Sequence, residues 1–155
     1  MGKNGRILVV DDDETILDTL AMALELEGYF VDKAENGKEA IEKSYSNFYN
    51  LAIVDWRLPD IEGTTLLKGF KETMPKMVRI MLTGYPSMNN AISAVNNEAS
   101  AFLVKPVDFD LLLGKIDELL KKQEQAKVFT EDLVVNYIET RSKEILKATP
   151  TARPL

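Results

Sequence analysis

Five short apolar runs, separated by stretches with helical spacing, most constrain what this chain can fold into. They read "RILVV" (6–10), "YFVDKA" (29–34), "LAIVD" (51–55), "VRIML" (78–82) and "AFLVK" (101–105). Runs this short and mostly this continuously apolar suit strands covered on both faces. Between the first two, Ile16, Leu17, Leu20 and Leu24 fall on one helical face, and Gly28 stops the pattern. Further helical patterns occupy 38–47, 64–73 (ending ahead of Pro75), 87–97 and 108–122. Leu112, Leu113 and Ile116, and Ile92 with Val95, are expected in the core. Alternating strands and helices imply an α/β fold with a five-stranded parallel sheet and helices on both faces. Right-handed crossovers then bring every strand's C-terminal end to one edge. That edge is where open α/β sheets bind ligands.

The residues gathered at that edge carry chemistry. Asp11, Asp12 and Asp13 follow the first run, Asp55 ends the third, Thr83 follows the fourth and Lys105 ends the fifth. Singly, each has an ordinary reading: a helix start, a turn, or a lysine ahead of the helix-starting Pro106. Together they make an acidic pocket with one hydroxyl and one ammonium. Clustered carboxylates repel, and a divalent cation would offset that repulsion. The chain has no Cys and no His, so a metal here is held by oxygen, as magnesium, calcium or manganese are. The same absences exclude zinc–thiolate sites, thiol nucleophiles and Ser-His catalysis. An ionised Asp can itself act as a nucleophile and form an aspartyl phosphate. Lys105 and the cation would then neutralise charge, and Thr83 would donate a hydrogen bond to a phosphoryl oxygen.

Composition narrows the partners. The 155 residues include 25 acidic and 19 basic side chains, a net charge of -6. That balance argues against direct nucleic-acid binding, which needs a basic face. No apolar run approaches the roughly 18 residues of a membrane span. "MGKNGR" leads straight into "ILVV" without a leader pattern, so a cytoplasmic protein is expected.

At these residues the sequence resembles the receiver domains of two-component response regulators. "ILVVDDDE" resembles their acidic start, "IVDWRLPDIEG" the phosphoacceptor loop, "MLTG" the hydroxyl strand and "AFLVKP" the lysine–proline end. The resemblance spans about 6–122 and implies a flavodoxin-like doubly wound sheet of order 2-1-3-4-5. It implies that Asp55 accepts a phosphoryl group from a sensor histidine kinase or phosphotransfer protein. It makes the Asp12 and Asp55 side chains and the Arg57 carbonyl the Mg2+ ligands, with Asp11 acting through water. Lys105 would pair with the phosphoryl group, Thr83 would move to bond it, and the Lys105–Pro106 bond would be cis. Phe102 stands at the family's aromatic switch position. The 87–122 face would carry the signal to an output protein or a further output domain. The charged dimerisation pattern of winged-helix members is not evident there. An enzyme with turnover is not expected, beyond weak autophosphorylation and autodephosphorylation.

Two other readings compete. Phosphatases of the haloacid dehalogenase type also use an Asp nucleophile, Mg2+, a hydroxyl and a Lys, but they carry a second Asp two positions on, where this chain has Arg57. A phosphorylation-independent docking module is the other, and the full set of site residues argues against it. Beyond the receiver segment, 123–155 reads as a helical extension or linker with a disordered end. "KKQEQAK" (121–127) suits a solvated helix end or linker. In 130–146, Val134, Ile138 and Ile145 share a helical stripe behind a Thr130 cap. Such a helix would serve a homodimer or docking.

Overall fold

In a computed structural model, residues 5–84, 86–96 and 98–148 are described, with side chains except at 95 and 148. The strands are β1 (Arg6–Val10), β2 (Phe30–Ala34), β3 (Leu51–Asp55), β4 (Val78–Thr83) and β5 (Ala101–Val104). The helices are α1 (Glu14–Leu26), α2 (Gly37–Ser46), α3 (Gly63–Gly69), α4 (Met88–Asn96) and α5 (Phe109–Ala148). All strands pair in parallel, in the order β2-β1-β3-β4-β5. The central strands β3 and β4 are buried at every position, which is why their sequences lack alternation.

Two apolar layers hold the sheet. Ile7, Val9, Leu51, Ile53 and Ile80 face Leu17, Leu20 and Leu24 of α1 and Leu112 and Ile116 of α5. On the opposite face Leu8, Val10, Ala52, Val54 and Met81 meet Ala40, Leu66, Leu67 and Phe70. Leu112 and Ile116 are fully buried and Leu113 packs at the margin, as their spacing suggests. Ile92 differs, being about half exposed, so the apolar side of α4 is not wholly turned inward. Val95 lies outside the residues whose side chains are described.

Two helices, α3 and α5, depart from the sequence pattern. α3 ends at Gly69, not near 73, because Phe70 turns to extended backbone and drops its ring into the second layer. Residues 121–127 are not a break: α5 runs unbroken for 40 residues through them. Gln123 secures this passage. Its amide donates to the carbonyls of Asn50 (2.9 Å) and Lys76 (2.8 Å), and its Oε1 accepts from Asn50 Nδ2 at 3.2 Å. Thr130 lies within the same helix, and its hydroxyl donates to the Ala126 carbonyl at 2.8 Å, so it is not a cap. The segment 149–155, expected to be disordered, lies outside the described residues. Among the described residues no helix is long and apolar enough to cross a membrane.

Candidate phosphoacceptor site

The parallel register delivers the site. Val10 lies beside Val54, and Asp55 beside Leu82, so Asp11, Asp55 and Thr83 leave adjacent strands at one edge. Val104 pairs with Thr83 on the outer side, and the Lys105 N–H donates to the Thr83 carbonyl at 2.7 Å. The three consecutive aspartates separate at once. Asp11 is buried and its Oδ1 accepts the Asp13 N–H at 2.9 Å. Asp12 projects into solvent over the pocket. Asp13 caps α1, its Oδ1 accepting from the Thr15 and Ile16 N–H groups at 2.9 and 3.2 Å. Only the first two therefore belong to the pocket.

Asp11, Asp12 and Asp55 each offer a carboxylate oxygen, all within 4.8 Å of one another. The Lys105 ammonium reaches between two of them, 3.1 Å from Asp11 Oδ2 and 3.2 Å from Asp55 Oδ1. The Lys105–Pro106 bond is cis. Burial pushes the Asp55 carboxyl above its ordinary pKa, and the Asp11 charge pushes the same way, against the pull of Lys105 and the Arg57 N–H. Burial also works against the Lys105 ammonium, but its bonds to Asp11 and Asp55 outweigh that and hold its pKa above the ordinary lysine value. The pocket is thus a carboxylate cluster only partly neutralised by the protein's own cation. An all-oxygen donor set this compact fits a small hard divalent ion that retains several waters.

The loop after Asp55 is braced on two sides. The backbones of Arg57 and Glu62 pair in an isolated antiparallel β-bridge, and the Trp56 carbonyl accepts the Gly63 N–H at 2.8 Å. A Cβ at Gly63 would lie 2.5 Å from the Asp55 carbonyl oxygen and 2.7 Å from Met81 Cε. Only glycine allows this approach. From the far side of the loop, Asp60 accepts the Gly37 and Lys38 N–H groups, both at 2.8 Å, at the start of α2. Those two bonds hold its pKa below the ordinary value. Neither Gly63 nor Asp60 was singled out from the sequence. The available signals were a glycine directly opening a helical pattern, and Asn36-Gly37, which leaves helix-starting N–H groups needing an acceptor. Thr83 is fully buried at the end of β4. Phe102, on β5 beside Met81, is partly buried and meets the Trp56 ring edge to face.

The comparison that decides the family is the match of residues 7–117 to the model of the response regulator receiver domain. The chain belongs to the response regulator receiver family. A CheY-like receiver domain protein from Methanospirillum hungatei JF-1 is 46% identical, with a TM-score of 0.75 over 80% of this chain and 99% of that one. Response regulator TrrA of Thermotoga maritima, solved with Mg(2+)-BeF, is 36% identical at a TM-score of 0.66, over 77% of this chain and 99% of its own. The transcriptional regulatory protein GlrR of Escherichia coli (strain K12) is 34% identical over 151 residues, 97% of this chain. The chain spans 33% of GlrR, so this receiver protein matches about a third of that relative's length. The receiver fold and its order 2-1-3-4-5 are those the sequence motifs implied.

Proposed function

We propose that this receiver accepts a phosphoryl group on Asp55 from a partner's phosphohistidine and so shifts between two states read by an output partner. One observation carries the reading: Asp55 stands beside Asp11, Asp12 and Lys105 at the sheet edge of a receiver-family chain. In the reaction an Asp55 carboxylate oxygen attacks phosphorus. The P–N bond to the donor imidazole breaks, and its electron pair leaves with the imidazole. Asp55 becomes an acyl phosphate. This chain has no His, so the donor phosphohistidine lies outside the 155 residues.

The side chains divide the remaining tasks. Asp11, Asp12 and Asp55, with the Arg57 carbonyl, would hold Mg2+. When bound, that ion neutralises charge on the phosphoryl oxygens. Lys105 moves from its Asp55 contact to a phosphoryl oxygen, which is a stronger acceptor site. Thr83 turns its hydroxyl to the same group. Phosphorylation adds about one to two negative charges, and these bias an existing equilibrium between two arrangements. Thr83 and Phe102, on neighbouring strands, carry the bias toward α4, β5 and the start of α5. Exposed Met88, Ile92, Val104 and Leu111 on these elements suit an apolar partner. The proposed setting is the cytoplasm, with a sensor histidine kinase or phosphotransfer protein upstream. A larger regulator, of the kind GlrR's name describes, is the proposed context for the output.

Incubation with a small phosphodonor and Mg2+ tests the reading. One stoichiometric, acid-stable, base-labile adduct is expected. Sustained turnover of the donor without an adduct would support the phosphatase alternative instead.

A further inference from the structure

The acceptor loop, 56–62, is tied to the sheet at its root, where the Trp56 N–H donates to the Leu82 carbonyl at 2.8 Å. Its far side is tied to α2 by Asp60. Oδ1 of Asp60 accepts the Gly37 N–H, and Oδ2 accepts the Lys38 N–H. Each oxygen serves one amide, so the fork fixes the plane of the carboxylate as well as its distance. The three amides that open α2 are thereby divided between two residues. Asn36, the cap, accepts the Glu39 N–H at 2.8 Å, and the first two amides go to a residue 23 and 22 positions away. The N–H groups of a helix start carry partial positive charge, which a carboxylate matches. Packing follows the same line. A Cβ at Gly37 would lie 2.5 Å from Ile61 Cγ1, so the backbone of α2 rests directly on the loop.

The helix is a firm reference for the loop. Ala40 is fully buried in the second apolar layer. Ser44 Oγ donates to the Ile41 carbonyl at 2.7 Å and accepts the Lys71 N–H at 3.2 Å, which joins α2 to the chain just past α3.

We propose that Asp60 is a positioning residue for the phosphoacceptor site: by fastening the loop to α2 it fixes the Arg57 backbone, whose carbonyl would hold Mg2+ beside Asp55. This role rests on the reading of Asp55 as the acceptor. Asp60 stands outside the carboxylate cluster, whose members among the described residues are Asp11, Asp12 and Asp55. Its effect therefore passes through the backbone. Asp55 belongs to β3 and keeps its place without Asp60. Arg57 lies in the loop, and its bridge to Glu62 closes the loop on itself, so the loop shifts as one piece when Asp60 lets go.

Hydrogen–deuterium exchange of the metal-free protein, and a Mg2+ titration followed by Trp56 fluorescence, test it on Asp60→Ala, Asp60→Asn and Asn36→Ala. Asn36→Ala is the control, since it removes a cap bond from the same helix start without touching the loop. In Asp60→Ala the 56–62 amides should exchange about tenfold faster than in the parent. Its Mg2+ affinity should fall about tenfold, as when an outer partner of a metal ligand is lost. Asp60→Asn keeps one of the two acceptors and should fall between Asp60→Ala and the parent in both readouts. Asn36→Ala should weaken α2 yet stay within about twofold of the parent in both. Circular dichroism confirms that each variant is folded. A parent that binds no Mg2+ and forms no adduct overturns the Asp55 reading itself. Where the parent does bind Mg2+, parent-like exchange or parent-like affinity in Asp60→Ala overturns the positioning role. So does an Asn36→Ala that matches Asp60→Ala in both readouts, since any weakening of α2 would then suffice. An Asp60→Asn that binds Mg2+ as weakly as Asp60→Ala while exchanging like the parent would make the effect one of charge, and overturns the role as well.

Discussion

The Trp56 and Phe102 rings meet edge to face, with centroids 6.1 Å apart and planes at 82°. Trp56 directly follows Asp55, and Phe102 lies two strands away on β5. The contact joins the proposed acceptor loop to the proposed output face. Trp56 is the only tryptophan, so its fluorescence reports on both. Mg2+ should produce one saturable change in emission. Asp12→Ala should remove most of that change, and Thr83→Ala should preserve it. Phe102→Ala should red-shift the emission before any ion is added. Emission indifferent to Mg2+, or a response intact in Asp12→Ala, would remove the metal assignment.

Labelling separates Asp55 from Asp13. Asp55→Asn should abolish acyl-phosphate formation. Asp13→Ala should retain most labelling while costing about 1 kcal/mol of stability, as an N-cap loss does. Mass spectrometry after phosphodonor treatment, paired with urea unfolding, measures both. Full labelling of Asp55→Asn would refute the acceptor assignment.

Stability should depend on pH through Asp55. Its folded pKa lies above the unfolded value near 3.8, so the folded state holds its proton more tightly. The stability this contributes is fully present below pH 3.8 and is lost as pH rises through the folded pKa. At pH 7 the parent therefore carries an unrelieved carboxylate, and Asp55→Asn should melt at a higher temperature than the parent. The gain should shrink as pH falls toward 4, and Mg2+ should shrink it too by stabilising the parent. Thermal melts at several pH values give the comparison. An equal or lower melting temperature for Asp55→Asn at pH 7 would contradict it.

Gly63→Ala tests the brace behind the acceptor. The added carbon overlaps backbone at the Asp55 carbonyl, so a loss of about 1–3 kcal/mol is expected. Labelling at Asp55 should slow in parallel, because the same shift displaces the acceptor strand. A near-neutral Gly63→Ala would mean the loop yields without cost.

The sheet was legible because each strand is a short apolar run and each turn into a helix carries a polar residue. Asp11, Asp12, Asp55 and Lys105 could be grouped without coordinates, because parallel topology sends every strand end to one edge. Less could be seen where long-range contacts decide. The residues of "KKQEQAK" favour a helix but do not show that it continues past them; Gln123 finds two carbonyls far away in sequence and the helix runs on. Arg79, the charged residue inside "VRIML", is 1% exposed, held by Glu98 at 2.6 Å. Its partner sits beyond α4, at a non-glycine residue with φ 73°, which no short-range pattern marks.

The unbroken α5 has a mechanical consequence. At about 1.5 Å per residue, its 40 residues form a rod of roughly 60 Å, anchored in the core by Leu112 and Ile116 and pinned at Gln123. From that pin to Ala148 the free arm is about 38 Å long. A tilt of about 5° at the pin, small enough to pass unnoticed in the sheet, would sweep the far end through about 3 Å by the same rise per residue. The helix would thus act as a lever whose fulcrum is a single glutamine, turning a shift of about 1.4 Å at Leu112 into about 3 Å at the far end, a displacement that a second molecule can feel.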